Sequence, residues 1–251
     1  MNDPNIISLA GRTALVTGAA RRIGRALTLG LAGQGAKIVV HHNHSEAQAV
    51  ALCDEVRQAG GSAWPLQGDL ADEQQVKQLF PQAVAKAGPI DILINNASFY
   101  ERDTLWEASE ESVLLNLRVH ALAPLTLARE MGRQGTAGHV VNLLDTRVTV
   151  YDREHASYHI SKRVLLTLTR MLALELAPSI AVNAIAPGLI LPPVGEDESY
   201  LQRLAHACPL NRYGGPQDVV DAMLYLVRSR FVTGQVLYVD GGYHMKGHLY
   251  D

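Results

Sequence analysis

The sequence predicts an α/β fold: a single domain on a doubly wound, seven-stranded parallel sheet with helices on both faces. Three observations lead there. Short apolar runs alternate along the chain with longer stretches of helical period. Those runs are almost continuously apolar, as strands covered on both faces must be. The 251 residues contain no linker rich in Gly, Ser or Pro and no repeat of fixed period, so one large core is expected rather than two.

In chain order the candidate strands are 13–16, 37–41, 63–67, 91–94, 139–144, 181–185 and 235–239. The candidate helices between them are 23–33, 46–59, 73–87, 111–133, 155–177 and 217–228. The regular alternation breaks at 186–209, where Pro187, Gly188, Pro192, Pro193 and the acidic run from Glu196 to Glu198 predict a loop and a short helix. In a sheet of this kind ligands bind beyond the carboxyl ends of the strands, so this segment is a candidate substrate lid. The alternative is a plain surface loop.

Composition narrows the function by exclusion. The apolar fraction of 47% and charged fraction of 19% are those of an ordinary globular protein. A net charge of −3 with scattered Lys and Arg gives no footprint for nucleic acid. Residues 1–9 lack a basic and apolar leader pattern, and the apolar stretch 164–177 is interrupted by Arg170 and Glu175, so no membrane association is expected and the reading is cytoplasmic. Cys53 and Cys208 are far apart and in no metal-type spacing, which implies neither a disulfide framework nor a zinc site.

The first strand runs into Thr17-Gly18-Ala19-Ala20-Arg21-Arg22-Ile23-Gly24 and then directly into a helix. Small residues let backbone approach a pyrophosphate, and a helix N-terminus offers free N–H groups and a positive dipole end. The position between strand and helix is that of a dinucleotide-binding, Rossmann-type loop. After the second strand comes His41-His42-Asn43-His44-Ser45, with no carboxylate to hold ribose hydroxyls or repel a 2′-phosphate. With Arg21 and Arg22 adjacent, this favours NADP(H) over NAD. A solvated strand end and a metal site are the other readings of the histidines.

Further markers follow in order: Gly68-Asp69-Leu70, Asn95-Asn96-Ala97, Tyr158-His159-Ile160-Ser161-Lys162, Pro187-Gly188 and Val239-Asp240-Gly241-Gly242. Together with the 17–24 loop, this set resembles the short-chain dehydrogenase/reductase family over essentially the whole chain. The resemblance assigns Gly18, Arg21, Arg22, Ile23, Gly24, Asn43, His44, Ser45, Asp69, Leu70, Asn96, Ala97, Ser98, Tyr158, Lys162, Pro187, Gly188 and Ile190 to the cofactor. It also implies a homotetramer, with helices 111–133 and 155–177 as interface elements, although core burial would leave the same pattern. Asp69 also reads as a turn or cap residue, and Asn95 as a strand-end hydrogen-bonding group.

Tyr158 and Lys162 lie four residues apart, on one helix face. A phenol titrates near ~10, and a nearby ammonium is expected to bring it down towards the useful range. By resemblance Tyr158 exchanges the proton that accompanies hydride transfer, and Lys162 also binds the nicotinamide ribose.

Three departures from the common family pattern narrow the substrate. Arg22 stands where the phosphate loop usually has its middle glycine, and its guanidinium is expected to project to the cofactor phosphates and the substrate site. Asp145, thirteen residues before Tyr158, stands where most members carry a catalytic serine. His120 replaces an asparagine of a proton relay; packing or hydrogen bonding in the helix core is its other reading. The loop and Asp145 resemble the pteridine reductases and bacterial dihydromonapterin reductases, and Asn96-Ala97-Ser98-Phe99-Tyr100 continues the match. That resemblance places Arg22, Ser98, Tyr100, Asp145 and Tyr158 against a pterin, with Tyr100 stacking by ungapped counting and Phe99 as the alternative. The expected catalytic set is Asp145, Tyr158 and Lys162, with no metal. The expected activity is NADPH-dependent reduction of a pterin C=N bond. The rivals are a carbonyl reductase or alcohol dehydrogenase of the same family, and an NADP-binding regulator without turnover.

Overall fold

The computed structural model describes residues 7–151 and 153–246. Seven strands form one parallel sheet: β1 (Thr13–Val16), β2 (Lys37–His42), β3 (Ala63–Gln67), β4 (Ile92–Asn95), β5 (Gly138–Leu143), β6 (Ile180–Pro187) and β7 (Val236–Val239). Their order is β3-β2-β1-β4-β5-β6-β7, so the winding direction reverses between β1 and β4. Ligand crevices open at that reversal, outside the carboxyl ends of the strands.

Side chains of successive strand residues point to opposite faces, and the core divides accordingly. Ala14, Val16, Ile38, Val40, Ile92 and Ile94 pack against α1 (Arg22–Ala32), α2 (Glu46–Gln58) and, later in the chain, the helix Pro216–Arg228. Leu15, Val39, Leu93 and Val140 face the opposite layer, made by α3 (Glu73–Ala87) and two further helices, Ala123–Arg133 and Ala156–Glu175. Each fully buried Leu or Ile adds about 1.5–3 kcal/mol, which is how such short strands are held.

The single helix expected over 111–133 is instead three pieces: α4 (Glu110–Leu117), one π turn (Arg118–Leu122) and α5 (Ala123–Arg133). Pro124 supplies the reason. It has no N–H to give the His120 carbonyl, so the ladder slips to the wider spacing, in which the Ala123 N–H bonds the Arg118 carbonyl. The remaining helices are α6 (Ala156–Glu175), α7 (Glu198–Leu204) and α8 (Pro216–Arg228). The loop-and-short-helix expectation over 186–209 agrees with α7, although β6 itself runs through Pro187. No helix among the described residues is long and apolar enough to cross a membrane.

Candidate active site

The glycine loop is built by β1 and β4 together. Thr17 Oγ1 accepts from the N–H groups of Asn96 (3.0 Å) and Ala97 (3.1 Å), while Asn96 Nδ2 donates to the carbonyls of Thr17 and Gly18, both at 3.0 Å. Gly18 has φ +59°, and a Cβ there would lie 2.7 Å from Ala97 Cα, so only glycine fits. A Cβ on Gly24 would run into the Gly18 carbonyl. The first turn of α1 has no side-chain cap and no acidic residue, leaving its N–H groups to an external acceptor. This closely packed, uncapped helix start fits a dinucleotide pyrophosphate.

Arg22, at φ +54°, holds the left-handed backbone that a glycine would adopt without strain. Its guanidinium donates to the Pro192 carbonyl at 2.7 Å, so the cation expected to project to the phosphates also fastens the loop to the 186–209 segment. Arg21 is exposed and Ile23 half-buried.

The alternative reading of the histidines as a solvated strand end applies only from Asn43 onward: β2 continues through His42, and His41 and His42 are buried. His41 bridges the cofactor end of the sheet. Its Nδ1 accepts from the Gly18 N–H (3.1 Å), and its Nε2 lies 3.0 Å from the Gly68 carbonyl, which fixes the tautomer with the proton on Nε2. Burial pushes its pKa down to about 4 against the pull of the Gly68 carbonyl. His44 is exposed, Asn43 and Ser45 are half-buried, and Ser45 begins α2 without a side-chain cap bond. Asp69 realises its alternative reading as a turn residue, accepting from the Ala71 N–H at 2.9 Å, and is half-buried; Leu70 is buried. Asn95 donates to Asn142 Oδ1 across the β4–β5 register at 2.8 Å. No group of His, Cys, Asp and Glu suited to a metal occurs among the described residues.

The chemistry-bearing residues meet beyond β5. Asp145 starts a 3₁₀ turn (Thr146–Val148), with Oδ1 accepting from the Arg147 N–H at 2.7 Å. The Tyr158 hydroxyl, from the first turn of α6, donates to Asp145 Oδ2 at 3.1 Å. Lys162 is buried, donates to the Leu143 carbonyl at 2.8 Å, and places Nζ 5.5 Å from the Tyr158 ring centroid. The expected lowering of the phenol is reversed. Burial, then the Asp145 charge and hydrogen bond, push Tyr158 well above 10, and Lys162 is spent on a carbonyl instead of the phenol oxygen. Burial lowers Lys162 to about 8, opposed by Asp145.

His120, in the π turn, is bound at both ring nitrogens. Ser161 Oγ donates to the Tyr158 carbonyl (2.7 Å), so His120 Nδ1 is the donor to Ser161 Oγ (2.9 Å). Nε2 then accepts from the Phe99 N–H (3.2 Å) and faces Ser98 Oγ at 3.2 Å. Burial and the Lys162 charge keep this imidazole neutral, its pKa well below 6.5. The hydrogen-bonding reading of His120 is therefore realised. Tyr100 lies edge-on to Tyr158 at 4.7 Å and stacks on His155 at 3.7 Å, with its hydroxyl accepting from Arg147 Nη1 at 3.1 Å. Phe99 instead packs on His120 at 4.8 Å. Of the two aromatics, Tyr100 is the one beside the phenol.

From the other side, Asp240 closes the site. Its carboxylate accepts from Thr146 Oγ1, the Gly242 N–H (2.9 Å), and the His244 N–H (2.9 Å) and ring (2.8 Å). A Cβ on Gly188 would lie 2.6 Å from Asp240 Cβ, so Gly188 lets β6 pass close to β7's end; Ile190 is buried just beyond. Sequence reasoning quoted His41 and Asp240 only as motif members and missed Arg147. Their roles depend on partners 27, 94 and 47 residues away, and no local spacing signals them.

The chain is similar to known proteins in sequence and fold. The family model described as Enoyl-(Acyl carrier protein) reductase matches residues 18–244. The 3-oxoacyl-[acyl-carrier-protein] reductase FabG of Staphylococcus aureus is 30% identical over 243 residues, covering 93% of this chain and 98% of its own. Among solved structures, FolM alternative dihydrofolate reductase 1 from Brucella canis, complexed with NADP, is 35% identical with a TM-score of 0.91 and covers 98% of this chain and 99% of its own. The corresponding Brucella suis protein, also with NADP, is 34% identical with a TM-score of 0.92 over 98% and 99%. With the ordered motifs, the Tyr158–Lys162 pair and matches of this length, the chain belongs to the short-chain dehydrogenase/reductase family.

Proposed function

We propose that this chain is an NADP(H)-dependent reductase that adds hydride to the C=N bond of a pterin-like substrate, a dihydropterin or dihydrofolate. The observation that carries the reading is the Tyr158–Asp145 hydrogen bond of 3.1 Å, a carboxylate where a ketone reductase gains from a neutral donor. Tyr100, edge-on to the phenol at 4.7 Å, gives a flat heterocycle an aromatic neighbour. The similarity to the two FolM proteins supports the same substrate class.

The loop 17–24 and the start of α1 would hold the pyrophosphate, His44, Ser45 and the two arginines the 2′-phosphate end, and Lys162 the nicotinamide ribose. Bound NADPH supplies the hydride. Tyr158 supplies the proton: burial and Asp145 keep the phenol protonated at neutral pH. The proton passes from Tyr158 Oη to a ring nitrogen whose basicity rises as its carbon neighbour gains hydride. The phenolate left behind faces Asp145, which disfavours it, and the Arg147 charge, which favours it. Asp145 thus drives reprotonation and Arg147 keeps the phenolate accessible. The 186–209 segment, fastened to Arg22 through Pro192, would act as the lid.

A second reading, reduction of an oxoacyl thioester, is favoured by the acyl-carrier-protein reductase relative. NADPH and NADH oxidation measured against dihydrobiopterin, dihydromonapterin, dihydrofolate, an acetoacetyl thioester and a simple ketone separates the two. Turnover confined to the thioester or ketone would overturn the pterin proposal. The proposal includes a homotetramer using α4 to α6, supported by the exposed apolar side chains Leu122, Met171 and Leu174 on these elements. Sedimentation velocity tests it, a monomer at micromolar concentration being the adverse result.

A further inference from the structure

The helix that carries Tyr158 and Lys162 begins without a cap of its own. The residue before it, His155, lies in the left-handed region (φ +58°) and makes no side-chain cap bond, and the first turn has no acidic residue. An uncapped helix start frays, and Tyr158 lies in that first turn.

The missing cap arrives from the loop that follows β4, the one bearing Ser98 and Tyr100. Asp103 Oδ1 accepts from the Ser157 N–H at 3.2 Å, Oδ2 accepts from Ser157 Oγ, and the Asp103 carbonyl accepts from the Ala156 N–H at 3.1 Å. Ser112 Oγ on α4 adds a bond to Oδ2 at 3.1 Å and lies 2.6 Å from Ser157 Oγ. Arg102 pairs with Glu154 alongside. A carboxylate here also meets the positive end of the α6 dipole. Burial would raise the Asp103 pKa, but the bonds from Ser157, Ser112 and Ala156 outweigh it and hold the carboxylate ionised below the usual range.

We propose that Asp103 is a positioning residue for Tyr158: it caps α6 in place of a local residue and locks the substrate-side loop to the helix that bears the phenol. The inference rests on Tyr158 as proton donor, but not on the substrate being a pterin. Tyr158 must stand within hydrogen-bond reach of Asp145 and beside Tyr100. One of those partners lies on the loop that Asp103 anchors, and the other is reached only if the first turn of α6 is set. Asp103 acts on the phenol through its bonds to the start of α6.

The test compares Asp103→Ala, Asp103→Asn and Asp72→Ala. Asp72 caps α3 through the Gln74 N–H (2.8 Å) and Gln75 N–H (3.2 Å), away from the phenol, and so reports a cap loss that is only structural. Assays use whichever of dihydrobiopterin and an acetoacetyl thioester the wild type turns over faster, so a wrong substrate class leaves the test intact. Asp103→Ala is expected to lower kcat by about 10- to 100-fold, the scale of a displacement on the order of 1 Å, with KM for NADPH unchanged. Asp103→Asn, which keeps an acceptor for the Ser157 N–H, should recover most of kcat, and Asp72→Ala should lose thermal stability without losing kcat. In the cofactor-free chain, amide exchange at Ser157 and Tyr158 should quicken in Asp103→Ala alone. If Asp103→Ala is too unstable to assay, Ser157→Ala removes the hydroxyl bond by itself and should lower kcat with KM for NADPH unchanged. Retention of kcat within twofold in Asp103→Ala, or unchanged exchange at Ser157 and Tyr158, overturns the proposal. So does an unaltered kcat in Ser157→Ala when it stands in for the alanine variant.

Discussion

His41 sets a pH limit on the cofactor end of the fold. Folded, it is neutral with a pKa of about 4 against an ordinary 6.5, mainly because burial penalises the imidazolium. Protonation would also abolish the Nδ1 acceptor that the Gly18 N–H uses. The unfolded chain therefore binds one more proton than the folded chain between those two values, and stability rises with pH across them. The contribution is fully present above pH 6.5 and is lost as pH falls towards 4. A depression from 6.5 to about 4 corresponds to about 3 kcal/mol, a slope of about 1.4 kcal/mol per pH unit. Urea unfolding of wild type and His41→Gln at half-unit steps from pH 4.5 to 7.5 measures it. The variant should be less stable at pH 7.5, having lost the shape and bridge of the imidazole, but its curve should be flatter by nearly one proton. Other shifted groups, the buried His120 and the half-buried His139 included, titrate in both proteins and cancel in the difference. Parallel curves would refute the argument, since a fixed offset would mean that His41 contributes packing and no linked proton.

Three further perturbations test the site. Asp145→Ser should cut kcat/KM on a dihydropterin by at least about tenfold while a ketone suffers less, because serine returns the neutral donor an alkoxide prefers; an unchanged ratio removes the pterin-specific role of the carboxylate. Tyr158→Phe should lower kcat by about 10²- to 10⁴-fold with NADPH affinity retained, whereas Lys162→Met should weaken both; near-normal kcat in the phenylalanine variant would mean another donor. Arg22→Gly and Arg22→Ala both lose the bond to Pro192, but only glycine accepts φ +54° without strain. The glycine variant should be the more stable by about 1 kcal/mol, against the usual helix preference for alanine, and equal urea midpoints would contradict the strained backbone.

Much of this was legible in the residues themselves. Near-continuous, β-branched runs such as Ile38-Val39-Val40 read as strands covered on both sides, and the seven expected strands coincide with the seven observed to within two residues at each end. The Tyr158–Asp145 meeting was expected from the family resemblance, which puts Asp145 where most members carry a catalytic serine, thirteen residues before Tyr158. The sign of the phenol shift was not, because spacing places Lys162 on the right face without saying that its ammonium will be taken by the Leu143 carbonyl, or how dry the phenol is. The break in the 111–133 helix had a visible cause in Pro124, overlooked because the apolar period carries straight through it. Asp103 had no local mark at all: its partner Ser157 is 54 residues away, and only the folded chain brings an acid from one loop to another element's bare end.

The Asp240 clasp has a consequence for the order in which this enzyme comes into being on the ribosome. Thr146, the neighbour of Asp145, is tied to a carboxylate 94 residues further on. A nascent chain that has emerged as far as α8 can pair six strands, cover both faces of the sheet and close the glycine loop, because those contacts lie within it. The turn that carries Asp145 still lacks its fastening, and the close approach of Gly188 to Asp240 does not yet exist. Such late, long-range closure is slow to form. Dinucleotide-binding competence is therefore expected to precede turnover during synthesis, and stalled chains lacking β7 to be binders that cannot react.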